Sequence, residues 1–367
     1  MMPELPPFGR FFLPGPTEVL PEILQAQVGP MMGHRAKGME DLIASIQPGL
    51  KSIFRTDRPV YIAASSATGL MEAAIRNGAR RRVLALVNGA FSERFQAIAH
   101  ATGLEADALD VGWGGVHTPD LLEDALKRGD YDAVAVVHCE TSTGVLNPIG
   151  ELAAVAHAAG DVAVLVDAVS SMAGAPVDTD AWALDFVLTG SQKCFALPPG
   201  LALGVAQESM LERAASKPDR GIYFDLLAFE KNIAKNQTPN TPAVSLIYAL
   251  AAQVERIERE TLEGRWERHE AMARRTWAWV DEMRDRGVGL GILAPEGYRS
   301  PTVTCITVPE GWTGPQVAAA VRERGGYTIA PGYGKLKEST FRIGHMGDHT
   351  VDELDGLLAA LEEVLVR

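Results

Sequence analysis

Cysteine is scarce in this chain, which has three cysteines (Cys139, Cys194 and Cys305) in 367 residues. Their odd number and wide separation exclude a disulfide framework, and without paired-cysteine or His-Glu-x-x-His spacing we expect no metal site. Basic residues are in deficit, with 34 Lys and Arg against 47 Asp and Glu and a formal net charge of -13. This acidity argues against nucleic acid or an anionic membrane as a partner, because both attract clustered positive charge.

Long hydrophobic runs are also missing. No uninterrupted apolar stretch reaches the roughly 20 residues that a membrane-spanning helix needs, and residues 1–7 lack the basic region and apolar stretch of a signal peptide. We therefore expect a cytoplasmic protein without a membrane partner. With 367 residues, 47% of them hydrophobic, the chain is long enough for two or three domains with a sizeable core.

Short apolar runs alternate with segments of helical spacing through the first two thirds of the chain. This alternation is typical of βαβ units, and uninterrupted apolar strands predict a mostly parallel sheet covered by helices. After residue 240 the sequence predicts long helices with a break near Gly264, followed by a smaller α/β unit. The predicted divisions are an N-terminal arm (1–20), a large domain (21–255) and a small C-terminal domain (256–367). The predicted strands are 82–88, 133–138, 162–167, 186–189, 201–206, 302–308, 327–330 and 340–344, and the predicted helices include 68–78, 92–101, 119–127, 150–159, 314–324 and 351–365.

The most informative segment is Gly190-Ser-Gln-Lys193, where a predicted strand leads into a single lysine and then a stiff Pro-Pro-Gly turn. A lysine that is partly desolvated at a strand end has a lowered pKa, and such an amine forms Schiff bases with carbonyls. The ordinary alternative is a surface lysine. Asp167 ends another apolar strand, where open α/β sheets place ligand contacts. Its carboxylate could keep a pyridinium nitrogen protonated, or it could cap a helix or form a salt bridge.

Other candidate residues also follow predicted strands. The turn Ala64-Ser-Ser-Ala-Thr-Gly69 opens a helix, so its N–H groups and the helix dipole favour a phosphate, with ordinary helix capping as the alternative. Phe91 could stack on a flat ring or fill the core, and the hydroxyl of Thr141 could reach a ring oxygen. Arg342 lies centrally in a predicted strand of the small domain, where its planar fork suits a substrate carboxylate or an internal salt bridge.

Together these segments resemble the class V aminotransferases, which are fold-type I pyridoxal 5′-phosphate enzymes, and most closely the alanine–glyoxylate/serine–glyoxylate branch. The resemblance covers nearly the whole chain. It implies pyridoxal phosphate as the cofactor and a homodimer with active sites at the subunit interface. It also implies an α/β fold whose large domain has a mostly parallel sheet between helices. The motifs are Leu13-Pro-Gly-Pro-Thr17, Glu140-Thr-Ser-Thr-Gly-Val-Leu-Asn-Pro148, Val166-Asp-Ala-Val-Ser170, Gly190-Ser-Gln-Lys193, Asn240-Thr-Pro-Ala243 and Phe341-Arg-Ile-Gly344.

By position, the resemblance implies two catalytic residues: Lys193 as the Schiff-base lysine and Asp167 as the partner of the pyridinium nitrogen. Val169 would pack on one face of the ring, and Phe91 would stack on the other, where the family often has tryptophan. Arg342 would hold the substrate α-carboxylate. The remaining cofactor contacts that the resemblance implies are the phosphate turn Ser66, Ala67 and Thr68 (the last two often Gly-His in part of the branch), Thr141 beside the ring oxygen, Gln192 near the phosphate, and Thr241, which would reach the phosphate from the neighbouring subunit.

The resemblance implies an aminotransferase that moves an amino group from a small amino acid, alanine or serine, to a small 2-oxo acid, glyoxylate or pyruvate. An (S)-ureidoglycine–glyoxylate aminotransferase is an alternative, for which Gly33-His34-Arg35 could line the substrate side. A lyase or cysteine desulfurase of the same fold is a weaker alternative, because a desulfurase needs a cysteine on a mobile loop and Cys305 lies in a predicted strand. A non-catalytic binding protein would not require Lys193, Asp167 and Arg342 together.

Overall fold

A computed structural model of the chain describes residues 8–366, so that residues 1–7 of the predicted N-terminal arm and Arg367 lie outside the described residues. The helices of the described part are α1 (Pro21–Ala26), α2 (Lys37–Phe54), α3 (Ala67–Gly78), α4 (Ala90–Ala101), α5 (Pro119–Leu126), α6 (Ile149–Ala158), α7 (Glu208–Ala215), α8 (Leu226–Ile233), α9 (Val244–Glu260), α10 (Leu262–Asp285), α11 (Gly314–Gly325) and α12 (Val351–Leu365), with a 3₁₀ turn at Gly334–Leu336. The strands are β1 (Tyr61–Ala63), β2 (Arg82–Val87), β3 (Glu105–Asp110), β4 (Ala133–Val137), β5 (Cys139–Glu140), β6 (Val145–Leu146), β7 (Ala163–Asp167), β8 (Phe186–Gly190), β9 (Ala202–Ala206), β10 (Gly291–Ile292), β11 (Val303–Thr307), β12 (Ala330–Pro331) and β13 (Thr340–Gly344).

The large sheet contains seven strands in the order β1-β9-β8-β7-β4-β2-β3. Its neighbours β3 and β2, β2 and β4, β4 and β7, and β7 and β8 are parallel, whereas β9 runs antiparallel to both β8 and β1. The central strands are buried along their whole length, as their continuous Val, Ala and Leu runs predict for a sheet covered by helices. The predicted α/β fold with a mostly parallel sheet is confirmed.

This strand order determines where the site forms. The strands β1, β2, β4, β7 and β8 all point the same way, so their carboxyl ends meet at one edge of the sheet. The segments that follow these ends carry most of the residues singled out in the sequence: Ser66 after β1, Phe91 after β2, Thr141 after β4, Asp167 at the end of β7 and Lys193 after β8.

The small sheet is antiparallel, in the order β10-β11-β13-β12. Arg342 on β13 pairs with Cys305 on one side and with Ala330 on the other, so it occupies an interior strand. A second hydrophobic core forms against this sheet, with Trp279 of α10 and Phe341 among its largest members. The predicted domain boundary at residue 255 stays a prediction.

Two details differ from the sequence expectations. The break between the long helices is at Thr261, whose backbone has φ 68°, and its Oγ1 accepts a hydrogen bond from the N–H of Gly264 at 3.1 Å. The strand predicted at 327–330 is only partly formed, since β12 covers Ala330–Pro331 and Thr328 forms an isolated parallel bridge with Phe11. Thr328 exchanges backbone hydrogen bonds with the N-terminal arm, at 2.8 Å to both Arg10 and Phe12. The arm therefore pairs with this segment just before β12 begins.

Among residues 8–366, no helix is both long enough and apolar enough to cross a bilayer.

Candidate active site

Lys193 lies three residues beyond the end of β8, and its side chain is buried. Its Nζ donates a hydrogen bond to the carbonyl oxygen of Pro14 in the N-terminal arm. A Cβ on Gly15 would lie 2.4 Å from the Lys193 side chain, and Gly15 has φ +101°, so this close approach requires glycine. Burial lowers the pKa of Lys193 to about 8, and the positive charge of Arg342 acts in the same direction.

Asp167 ends β7, and 3% of its surface is exposed. Its Oδ1 accepts a hydrogen bond from the N–H of Val169 at 2.8 Å. Burial raises the pKa of Asp167 to about 7, and the Val169 hydrogen bond and the charge of Lys193 only partly oppose that rise. A cationic partner such as a protonated ring nitrogen stabilises the ionised form of a buried carboxyl group.

Phe91 lies in the first turn of α4, and its ring centre is 5.8 Å from the Nζ of Lys193. The turn is held by Glu140, a fully buried carboxylate. This carboxylate accepts hydrogen bonds from the N–H of Phe91 at 3.1 Å, the N–H of Ser92 at 2.9 Å and the hydroxyl of Ser142 at 2.6 Å. Glu140 therefore fixes the predicted stacking ring, a role that sequence reasoning did not assign to it.

Arg342 reaches the same region from the small sheet. Its Nη1 donates to the carbonyl of Thr141 at 3.2 Å and its Nε to the carbonyl of Pro331 at 3.2 Å. The Thr141 hydroxyl lies 2.5 Å from the hydroxyl of Ser170. Burial lowers the pKa of Arg342, and within residues 8–366 no carboxylate forms an ion pair with it. A buried guanidinium bonded only to neutral carbonyls can accept a carboxylate ligand.

The predicted phosphate turn lies at the N-terminus of α3. Ser66 is the N-cap but makes no side-chain capping bond, and the N–H of Gly69 donates to its carbonyl oxygen at 2.9 Å. The N–H groups of Ala67 and Thr68 have no partner within the described residues and are free for an anion. The turn lies close to Gln192, because a Cβ on Gly190 would be 3.3 Å from the Cβ of Ala67 and 2.7 Å from the Oε1 of Gln192. Glycine at position 190 allows this approach.

Two further predicted contacts differ in their surroundings. Val169 is half-buried and packs against the main core beside Asp167. Thr241 is exposed and lines a small recess with Ala63 and Ala64, at the end of β1. Its side chain makes no hydrogen bond within the described part of the chain. Thr241 therefore lies near the chain that leads into the predicted phosphate turn, with its side chain unbonded in the described part of this subunit.

Sequence reasoning missed Tyr333 and Arg94. The Tyr333 ring centre lies 5.4 Å from the ring centre of Phe91 and 5.4 Å from the guanidinium carbon of Arg342. Its hydroxyl accepts a hydrogen bond from the Nη2 of Arg94 at 3.3 Å. Tyr333 lies in a loop after β12, a position for which neither periodicity nor strand-end placement gives a signal.

These groups fit pyridoxal phosphate. A buried amine is available for an aldehyde, the raised pKa of a buried carboxyl suits a cationic ring nitrogen, an aromatic face lies beside them, and a helix N-terminus with free N–H groups suits a phosphate. Residues 8–366 hold no group of three His, Cys, Asp or Glu side chains arranged for a metal ion.

Comparisons with known proteins agree with this geometry. The model of the family described as aminotransferase class-V matches residues 24–333. An uncharacterised aminotransferase of Methanocaldococcus jannaschii is 39% identical over 96% of this chain and 91% of its own length. An L-aspartate–glyoxylate aminotransferase of Paracoccus denitrificans is 34% identical over 92% of this chain and 86% of its own length.

The solved structure of an alanine–glyoxylate aminotransferase from Nostoc sp. superposes with a TM-score of 0.92 and 28% identity, covering 100% of this chain and 97% of that one. The resemblance seen in the sequence is thereby confirmed, and with it the cofactor. This chain belongs to the class V aminotransferase family and is a transaminase that depends on pyridoxal phosphate.

Proposed function

We propose that this enzyme moves the amino group of a small amino acid, alanine or serine, to a small 2-oxo acid, glyoxylate or pyruvate. The observation that carries the proposal is the meeting of two cationic side chains from different sheets. Arg342 binds the carbonyl of Thr141, and its charge contributes to the lowered pKa of the buried amine of Lys193. One group suits a substrate carboxylate and the other suits proton transfer.

Bound pyridoxal phosphate supplies an aldehyde that takes up the amino group and a ring that draws electron density from the donor's α carbon. Lys193, Asp167, Val169 and Phe91 would hold the ring, and Thr141 would lie beside the ring oxygen. The groups that would hold the phosphate are Ser66, Ala67, Thr68, Gln192 and Thr241 of a neighbouring subunit.

The protein's own groups then have separate tasks. Arg342 binds the α-carboxylate of the donor and afterwards that of the 2-oxo acid. With its pKa lowered to about 8, roughly a tenth of the Lys193 amine is neutral at pH 7, and this neutral Nζ can take the proton from the donor's α carbon. The Pro14 carbonyl, which already accepts a hydrogen bond from this Nζ, would hold the free amine in place. Asp167, once ionised beside a cation, stabilises positive charge on the ring side of the site.

We also propose that the enzyme is a homodimer with shared active sites. Large apolar side chains are exposed at Val28 (73%), Met31 (76%) and Ile222 (89%), and a subunit contact would bury apolar surface of this kind. The exposed position of Thr241, without a hydrogen bond inside its own described chain, agrees with a role in a neighbouring subunit.

The alternatives concern the donor. The Paracoccus relative is named for L-aspartate, and the sequence leaves (S)-ureidoglycine open. A desulfurase is disfavoured because Cys305 is fully buried in β11 and burial raises its pKa to about 11. A thiol in that state is a poor nucleophile.

A half-reaction screen tests the proposal. Purified enzyme is mixed with single amino acids, and conversion of the cofactor to its amine form is followed by absorbance. Alanine or serine should convert it, and the Lys193→Ala variant should keep bound cofactor but show no conversion. If both donors fail and ureidoglycine converts the cofactor, the enzyme is the ureidoglycine transaminase. If cysteine alone reacts and yields persulfide, the enzyme is a cysteine desulfurase and the proposed transamination is wrong.

A further inference from the structure

Arg94 is a cation at the site that the proposed function leaves unused. It lies on α4 three residues after Phe91, and its guanidinium carbon is 5.1 Å from the centre of the Phe91 ring. Its Nη2 donates to the Tyr333 hydroxyl at 3.3 Å. Within residues 8–366 this is the one hydrogen bond of its side chain, and no carboxylate oxygen lies within 4.0 Å of it. Most of its N–H donors are therefore free.

The acidic groups nearest to Arg94 along the chain and in the site are engaged elsewhere. Glu93 accepts a hydrogen bond from the indole N–H of Trp113 at 2.6 Å and lies 3.4 Å from the Nζ of Lys335. Glu140 accepts its hydrogen bonds from the first turn of α4 and from Ser142. The charge of Arg94 also acts weakly on the buried Asp167, but neither Asp167 nor these two glutamates forms an ion pair with the guanidinium in the described part of the chain, so its positive charge is available to a ligand.

Tyr333 places Arg94 and Arg342 on one surface. Its hydroxyl holds Arg94, and the guanidinium carbon of Arg342 is 5.4 Å from its ring centre. Both arginines thus border one phenol ring, which in turn lies against Phe91. A ligand with one carboxylate on Arg342 would extend along this phenol toward Arg94.

We propose that Arg94 binds a second carboxylate, the one on the donor's side chain, and so determines a preference for an acidic amino acid such as aspartate over alanine and serine. The inference rests on the transamination and the 2-oxo acid acceptor of the proposed function and changes its donor preference: alanine and serine would bind through the α-carboxylate alone, and an acidic amino acid through both carboxylates. A guanidinium bound to a carboxylate forms paired, charge-assisted hydrogen bonds, which neutral or apolar side chains of alanine and serine cannot supply. Discrimination of this kind is typically about ten- to a hundredfold in affinity.

The first test compares donors in the half-reaction of the holoenzyme. The unsubstituted enzyme should show a kcat/KM for aspartate at least about tenfold above that for alanine. Arg94→Met should lower the aspartate value by about ten- to a hundredfold and the alanine value by less than about threefold. Arg94→Lys keeps the positive charge but loses the planar fork. Its kcat/KM for aspartate should lie between the values of the unsubstituted enzyme and of Arg94→Met. Arg128→Met, which removes an exposed arginine without an ion pair in the described chain, should change neither value.

The second test measures binding without turnover. Titration calorimetry of the holoenzyme with succinate and with butyrate, a diacid and a monoacid of equal carbon number, should give tighter binding of succinate, and Arg94→Met should make the two dissociation constants equal. Equal constants in the unsubstituted enzyme would overturn the assignment, as would an equal loss for both donors in the first test. Failure of every donor to convert the cofactor would overturn the proposed function instead, while the succinate-to-butyrate ratio would still report on Arg94.

Discussion

Asp167 carries a charge state that differs between the folded and unfolded chain. Its pKa of about 7 in the cofactor-free fold results mainly from burial and lies above the ordinary carboxyl value of about 3.9. The folded protein therefore keeps a proton that the unfolded chain has lost, and ionising Asp167 destabilises the fold as the pH rises from 5 to 8.

We expect the Asp167→Asn variant, without cofactor, to gain stability relative to the unsubstituted protein as the pH rises. Its advantage in the free energy of unfolding should grow by about 2 kcal/mol between pH 5 and pH 8. Denaturant melts of both cofactor-free proteins at several pH values measure this gap, and Asp120→Asn, at an exposed position, is the control. A gap that stays constant with pH would contradict the buried, proton-holding state of Asp167. With cofactor, the variant should lose most of its turnover, because its amide cannot stabilise a protonated ring nitrogen by charge.

At this residue scale the sequence was informative where a candidate site residue lies at or just after the end of a buried strand. Asp167 and Lys193 stand out because a charged group there is costly unless it is used. Tyr333 and Arg94 did not stand out, since one lies in a loop after β12 and the other looks like an ordinary surface residue of a helix. Only the fold brings these two side chains together.

Among the elements, α4 illustrates how one buried group positions a whole first turn. Its N-terminal N–H groups donate to the Glu140 carboxylate rather than to a local cap. Glutamine in place of Glu140 is nearly the same size, but its NH₂ group would face N–H and O–H donors. At least one buried donor would then lose its partner, which costs about 1–3 kcal/mol.

We predict that Glu140→Gln lowers the free energy of unfolding by about that amount and weakens cofactor binding by about tenfold, because Phe91 loses its fixed position. Chemical denaturation and an absorbance titration with pyridoxal phosphate measure the two effects. Glu151→Gln, an exposed first-turn glutamate of α6, should change stability by less than about 0.5 kcal/mol. Unchanged cofactor affinity in Glu140→Gln would show that this carboxylate does not position the stacking ring.

Element boundaries show where local pattern is sufficient and where it is not. The capping box of Thr350 and Glu353 predicts the start of α12, and both of its hydrogen bonds form. The strand predicted at 327–330 is only partly formed, and its apolar pattern cannot reveal that the partner of Thr328 is the N-terminal arm, more than three hundred residues away. Pairing between distant segments is a property of the tertiary fold.

For the whole molecule, a buried ion pair joins the long helix α10 to both sides of the active site. The side chains of Arg265 and Asp348 are fully buried, and the Nη1 of Arg265 lies 2.9 Å from the Oδ1 of Asp348. The Nη2 of Arg265 also donates to the carbonyl of Cys194, next to Lys193, at 2.7 Å. Asp348 follows β13, the strand of Arg342.

Removing Arg265 should be costly, because the fully buried Asp348 would keep only weaker partners, the Nε of Arg256 at 3.3 Å and the amide of Gln253 at 3.1 Å. We expect Arg265→Met to lower the free energy of unfolding by about 3–5 kcal/mol, and Arg265→Met combined with Asp348→Leu to recover much of that loss. Denaturant melts of the two single variants and the double variant give the coupling. Additive losses in the double variant would mean that the pair does not act as a unit.

The last prediction concerns assembly, and it uses the position of Thr241. If Thr241 acts on the phosphate of a neighbouring subunit, the Lys193→Ala and Thr241→Asp variants should each be inactive alone, the first for lack of the amine and the second because a carboxylate repels the phosphate. In a mixed dimer, the intact Lys193 of one subunit and the intact Thr241 of the other fall in the same site. Co-refolding equal amounts of the two variants should therefore restore roughly a quarter of normal activity, since half of the dimers are mixed and each has one complete site. A site completed within one subunit would give no recovery on mixing, and light scattering that shows a monomer would remove the basis for sharing altogether.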